Sequence, residues 1–381
     1  MYHRKHGLSR REFLQTGAMA AVAAGIAASH AGEQKMEETK PDPKKIRNFH
    51  PDMRYRRLGN TDVYVSVISL GGIGIEKSVI QYAIEQGVNF VHTSNQYNHG
   101  NSIRLLGEVL KTNRDRVYVA LKDTFSVIDD DLKTLNTDHV DFIMFNRHSA
   151  SDVTHPEIFE DFAGYKKQGK ALYAGLTSHG NIKECVAAGV QCGQYAIIQP
   201  TLNQNAFDAM QSELKQANEK GVGIVGMKTM QGINDRDLEL ANLKKLLSNP
   251  AVVTVNRVLK TFDHVNAYLK AAKEILSAQE DMSLYRYARL NRSKLCMMCG
   301  ACENACPQGI SISSVLRSKY YYADELADRE TAVAAFRESI ENKAHPGNCA
   351  VCGKCESACP NGLAIVKRLE RALRFFDKLS A

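Results

Sequence analysis

The chain has 381 residues, 44% hydrophobic and 24% charged, with a formal net charge of +7. That length holds one to three packed domains. Its lysines and arginines are spread along the chain rather than gathered with aromatics as in a nucleic-acid binder, and no apolar run is long enough to span a membrane.

The order of features in residues 1–31 is that of a twin-arginine export signal. Ser9-Arg10-Arg11-Glu12-Phe13-Leu14-Gln15 is followed by an Ala-rich run from Gly17 to Ala28 and by small residues ending at Ala31. The expected first partner is therefore the twin-arginine translocase, which carries folded, cofactor-loaded cargo, and the expected location is periplasmic or otherwise exported. Cleavage after Ala31 would leave about +4 on the remaining chain. Residues 32–50, polar and charged with Pro41 and Pro43, read as a flexible linker.

Residues 51–290 alternate short apolar runs with amphipathic stretches, the pattern of repeated β-α units around a parallel sheet. A hairpin comes first, with Tyr55–Leu58 and Val63–Ser66 flanking the turn residues Gly59-Asn60-Thr61-Asp62. Eight strands follow, at Val67–Leu70, Asn89–Thr93, Val117–Lys122, Val140–Phe145, Leu172–Thr177, Ala196–Gln199, Gly223–Met227 and Val252–Asn256. Eight is the count of a closed (β/α)8 TIM barrel. An open doubly wound sheet would carry a glycine-rich nucleotide turn after its first strand, which Gly71-Gly72-Ile73-Gly74 only partly imitates. Barrel chemistry sits at the carboxyl ends of the strands, which singles out His92, Tyr97, Lys122, Asn146, Thr177, Ser178, Gln199 and Lys228.

This region resembles the aldo-keto reductase superfamily. The resemblance rests on Met53 to Thr61, on Gly87-Val88-Asn89-Phe90-Val91-His92-Thr93 through Tyr97, on Ser102 to Gly107 and on Leu132 to Asp141. It implies a tyrosine general acid, a lysine held by an aspartate that lowers the tyrosine's pKa, and a histidine that orients the substrate carbonyl. Tyr97 and Lys122 stand at the tyrosine and lysine positions, whereas His92 replaces the aspartate and Asn146 the histidine. An imidazole cannot pair with an ammonium as a carboxylate does, so Lys122 is expected to be less firmly held. Asn146 keeps a donor for a carbonyl oxygen. His148, two residues on, reads as an exposed loop histidine.

Cofactor positions diverge in the same way. By resemblance Thr177-Ser178 replace Ser-Asn, Gln199 matches the carboxamide contact, and Lys260-Thr261 roughly keep the phosphate site. Arg257-Val258 stand in place of Pro-Gly, and Ala267-Tyr268 in place of Glu-Asn. Valine is a poor substitute for glycine where backbone must approach phosphate, so weak NADP(H) binding is expected.

Residues 291–381 carry two copies of one pattern, Cys296-x2-Cys299-x2-Cys302-x3-Cys306-Pro307 and Cys349-x2-Cys352-x2-Cys355-x3-Cys359-Pro360. This is the bacterial ferredoxin spacing for two [4Fe-4S] clusters, in which the fourth cysteine of each run ligates the other run's cluster. The expected sets are Cys296, Cys299, Cys302 with Cys359, and Cys349, Cys352, Cys355 with Cys306. Disulfides do not suit cysteines packed into two short runs of a long chain, and zinc prefers paired knuckles. About 40 residues separate the runs, with Val333, Phe336 and Ile340 at helical spacing, so a small, mainly helical ferredoxin-like domain is expected. Leu363 to Leu379 reads as an amphipathic basic helix packed on that domain, and Cys185 and Cys192 read as small helix hydrophobes.

Together these features predict an exported oxidoreductase. Its barrel would bind a small organic carbonyl- or alcohol-like substrate, and its clusters would relay electrons to a redox partner protein or small carrier. The competing readings are an electron-transfer or binding protein with a catalytically retired barrel, and an NADPH-dependent carbonyl reductase with structural clusters.

Overall fold

A computed structural model describes residues 41–72, 74–122, 128–341 and 343–380. The expected signal, residues 1–31, and the first part of the expected linker lie outside the described residues. Residues 41–50, polar in composition, are nevertheless fixed to the barrel. Ile46 is buried, Arg47 pairs with the sunken carboxylate of Asp141 at 3.1 Å, and the Asn48 side-chain amide donates to the Ile84 carbonyl.

A short hairpin, β1 (Tyr55–Arg57) and β2 (Tyr64–Ser66), precedes eight parallel strands. These are β3 (Ile68–Leu70), β4 (Phe90–Thr93), β5 (Tyr118–Lys122), β6 (Val140–Asn146), β7 (Ala171–Ser178), β8 (Ile197–Pro200), β9 (Gly223–Gly226) and β10 (Val252–Arg257). They close in sequence order, with β10 pairing β3. Each expected strand coincides with one of them.

Two-residue periodicity decides what lines the barrel. Phe90, Tyr118, Ala120, Phe142, Met144 and Ile197 form the interior core, floored by Leu58, Val63 and Val65 of the hairpin. Two residues further along the same strands the period brings up His92, Lys122, Asn146 and Gln199. The register sets Asn146 beside Thr177 and Thr177 beside Gln199. The sequence therefore stacks a polar ring directly on an apolar plug.

After the barrel the chain is helical. Helices Ala301–Asn304, Ile312–Arg317, Arg329–Glu341, Lys354–Ser357 and Ile365–Ser380 surround a separate core, in which Phe336 stacks on Phe376 with centroids 4.1 Å apart. The terminal helix buries Ile365, Leu369, Ala372 and Phe376, so its apolar stripe packs on its own domain. Cys185 is fully buried in the helix Ile182–Cys192. Among the described residues no helix is long and apolar enough to cross a membrane.

Candidate functional site

The polar ring at the carboxyl ends of the strands is unusually short of partners. His92 Nε2, Asn146 Oδ1, both amide atoms of Gln199 and Lys228 Nζ are buried with no hydrogen-bond partner among the described residues. Such atoms cost on the order of 1–3 kcal/mol each when left unsatisfied. The Tyr97 ring stands edge-on to His92 at 5.6 Å. Gly72 makes room for this pair, since a Cβ there would meet the His92 carbonyl oxygen at 2.6 Å and Tyr97 Cδ2 at 2.9 Å. Burial, aided by the Lys122 charge, takes the His92 imidazole down to about 3, so it is neutral at physiological pH. Burial pushes the Tyr97 phenol up; Tyr322 and Tyr321 add to this and Arg317 opposes it.

Arg317, Tyr321 and Tyr322 come from the iron–sulfur region, and sequence reasoning missed them. Helix Ile312–Arg317 runs into a π-helical segment, Ser318–Glu325, a rare geometry common at functional sites. The segment lays Tyr321 over Lys228 Nζ at 4.0 Å from the ring centroid. Tyr97 and Tyr322 line two adjoining cavities. One, of about 620 Å3, also meets His92, His179 and Lys228; the other, of about 960 Å3, meets Lys122, Asn146 and Arg317. The run Arg317-Ser318-Lys319-Tyr320-Tyr321-Tyr322 is the signal that could have marked them. His148, expected in an exposed loop, is half-buried, and its Nδ1 accepts the His179 backbone N–H at 3.2 Å.

The other predicted cofactor residues are partly spent on structure. Ser178 Oγ donates to the Gly180 carbonyl. Thr261 caps helix Phe262–Ala271 by accepting the His264 N–H, and Lys260 is exposed. Arg257 and Tyr268 converge on Glu239 Oε1, at 2.7 Å from Arg257 Nη2 and 2.5 Å from the Tyr268 hydroxyl. These two residues, expected to disturb a phosphate and adenine site, build a closed polar knot instead.

The cysteines gather into two sets. Cys296, Cys299, Cys302 and Cys359 line one cavity of about 360 Å3; Cys306, Cys349, Cys352 and Cys355 line another of about 320 Å3. In both, three cysteines come from one run and the fourth from the other. Among the described residues no three Cys, His, Asp or Glu side chains are placed to hold a single metal ion. Burial pushes the Cys296 thiol up to about 12 and the Cys302 thiol upward too. Four cysteines facing one cavity are the donor set that a cluster takes, and bound iron would favour their thiolate forms against that burial.

The family model for the aldo/keto reductase family matches residues 76–275, and that for a 4Fe-4S dicluster domain matches residues 292–363. An uncharacterized oxidoreductase YqkF of Bacillus subtilis is 27% identical over 151 residues, covering 33% of this chain and 49% of that protein. Aldo-keto reductase AMT2 of Alternaria alternata is 25% identical over 232 residues, covering 45% and 63%. The chain spans about half to three fifths of the length of these curated relatives. The holo form of aldo-keto reductase AKR11C1 from Bacillus halodurans aligns with a TM-score of 0.52 at 21% identity, over 61% of this chain and 96% of that one, a likeness of fold.

Proposed function

This chain belongs to the aldo/keto reductase family, and on that premise we propose that it is an exported oxidoreductase exchanging electrons between a small carbonyl- or alcohol-like substrate in the barrel and a redox partner. It is an aldo/keto reductase barrel fused to a 4Fe-4S dicluster domain. One observation carries the proposal. Leu316 lines the cavity of the Cys296 set, and the next residue, Arg317, lines the barrel mouth. Adjacent Cα atoms are about 3.8 Å apart, so a single residue step joins the two sites.

When bound, two one-electron clusters supply together the two-electron capacity that interconverting an alcohol and a carbonyl requires. The chain's own residues do the rest. Tyr97 would give or take the proton on the substrate oxygen while Asn146 donates to that oxygen through its amide, and the hydrogen on the substrate carbon would leave or arrive as a second proton, exchanged with solvent through the cavity that Lys122 lines. The neutral His92 orients without adding charge. Cys352 is exposed, which gives the second set an outward face for a partner protein or small carrier.

NADPH has little room in this reading. Tyr321 covers Lys228, and Arg257 and Tyr268 are held by Glu239. Anaerobically purified protein should show cluster EPR signals after dithionite but none after NADPH, and NADPH should bind weakly in a titration. Tight NADPH binding with turnover of ordinary aldehydes would replace this reading with the conventional reductase. Export is tested separately: changing Arg10 and Arg11 to Lys should leave the protein in the cytoplasm, and unchanged export would refute the twin-arginine route.

A further inference from the structure

We infer that the barrel mouth is a binding site for a small organic oxyanion, a hydroxy or oxo acid whose carboxylate is held by Arg317 and Lys228. This deepens the oxidoreductase reading and rests on it for calling the ligand a substrate.

The charged end of each side chain is buried, and several of its donors are unused. Arg317 is 7% exposed, and its Nε and Nη1, like Lys228 Nζ, have no hydrogen-bond partner among the described residues. Both approach one ring: Lys228 Nζ lies 5.8 Å and Arg317 Cζ 5.9 Å from the Tyr322 centroid. Tyr322 offers both a cation–π contact, and Tyr321 offers a closer one to Lys228 alone. Ring faces, however, leave the N–H groups without acceptors. Lys228 also adopts φ +54°, a left-handed conformation that costs a lysine on the order of 1 kcal/mol. Strain and desolvation at one residue point to use rather than to packing.

Among the described residues no carboxylate pairs directly with either cation. Glu325 faces Lys228 and Arg257, and burial pushes its carboxyl up. Asp328 and Glu330, at the outer rim, lie 3.9 and 3.6 Å from the His99 ring. The histidines add no charge. Burial first, then Arg317, Lys122 and Lys228, takes His148 down to about 3, and the same neighbours act on buried His179. Burial first, then Arg317 and Lys122, pull the Lys228 ammonium well below its usual range while Glu325 opposes them, and an anionic ligand offsets the cost of holding both charges there. The unpaired atoms of His92, which shares a cavity with Lys228, and of Asn146, which shares one with Arg317, supply neutral polar contacts, as a hydroxyl or carbonyl next to a carboxylate requires.

The test uses the cluster-loaded full chain, titrated anaerobically by calorimetry with lactate, glycolate and malate and with their amides. The acids should bind about tenfold or more tightly than the amides. Arg317→Gln and Lys228→Met should each remove most of that preference, while Arg317→Lys keeps part of it. Acids binding no better than amides to the unaltered protein overturn the inference, whether or not the variants fold. Preference for glycerol 3-phosphate over every carboxylate would keep the oxyanion and overturn the carboxylate. EPR of the same samples separates the two readings. Acids that bind without changing the cluster signals leave the anion site standing and defeat the relay; neutral alcohols that change the signals while acids fail to bind do the reverse.

Discussion

The two cysteine runs have the same spacing and nearly the same backbone but opposite surroundings. Met298 and Val351 occupy the same place in their runs, both with left-handed φ, +57° and +53°. Gly300 and Gly353 follow at +78° and +72° and open equivalent short helices. Yet Met298 is 2% exposed and packed into the barrel core, whereas Val351 is 69% exposed. The Met298 carbonyl accepts the Ile182 N–H, and the Cys296 carbonyl accepts from Asn203. Ligand geometry is thus written locally, while tertiary contact makes one set an inner site against the barrel and the other an outer site facing solvent.

The largest effect expected from breaking this arrangement comes from the crossed cysteines. Cys359→Ser should cost the inner cluster and Cys306→Ser the outer one, each leaving about four of about eight irons per chain by metal analysis. Cys359→Ser should also loosen the seat on the barrel and so destabilise the protein more. Loss of the cluster belonging to the mutated residue's own run would contradict the crossing. A smaller effect separates the matched pair. Met298→Ala should lower unfolding free energy by about 2–5 kcal/mol, while Val351→Ala should stay within about 0.5 kcal/mol. Equal losses in denaturant titrations would mean that the two sites are not distinguished by packing.

Spacing made the cysteines legible, because thiolate geometry is set within a few residues. Strand alternation likewise delivered the barrel and the inward positions His92, Lys122, Asn146 and Gln199, since a period of two fixes the face. What stayed hidden depends on contacts across long stretches of chain. Arg317 and Tyr321 reach Lys228 from some ninety residues away, and nothing local marks Arg317 as sunken rather than solvated. His148 was misplaced for the same reason, because His179 on the neighbouring strand's loop covers it. Arg257 and Tyr268 could be seen to break a phosphate site, but not to find each other on Glu239.

That knot repeats the contrast of sealed and open on the barrel rim, and its pH response sharpens it at the smallest scale. Burial opposes ionisation of Glu239, but hydrogen bonds from His264, Tyr268 and Arg257 outweigh it and bring the carboxyl to about 2. A carboxyl lowered on folding stabilises fully above its unfolded value, near 4.5, and loses that contribution as pH falls through its folded value. Glu239→Gln should therefore cost about 1–3 kcal/mol at neutral pH, and the gap should close between about pH 4.5 and 2. The open sector should behave oppositely: burial, Arg317 and Lys122 disfavour the Lys228 ammonium more than Glu325 favours it, so Lys228→Met should leave stability unchanged or slightly raised at neutral pH. A Glu239→Gln deficit that persists undiminished at pH 2 would show that packing, not charge, closes this side of the rim.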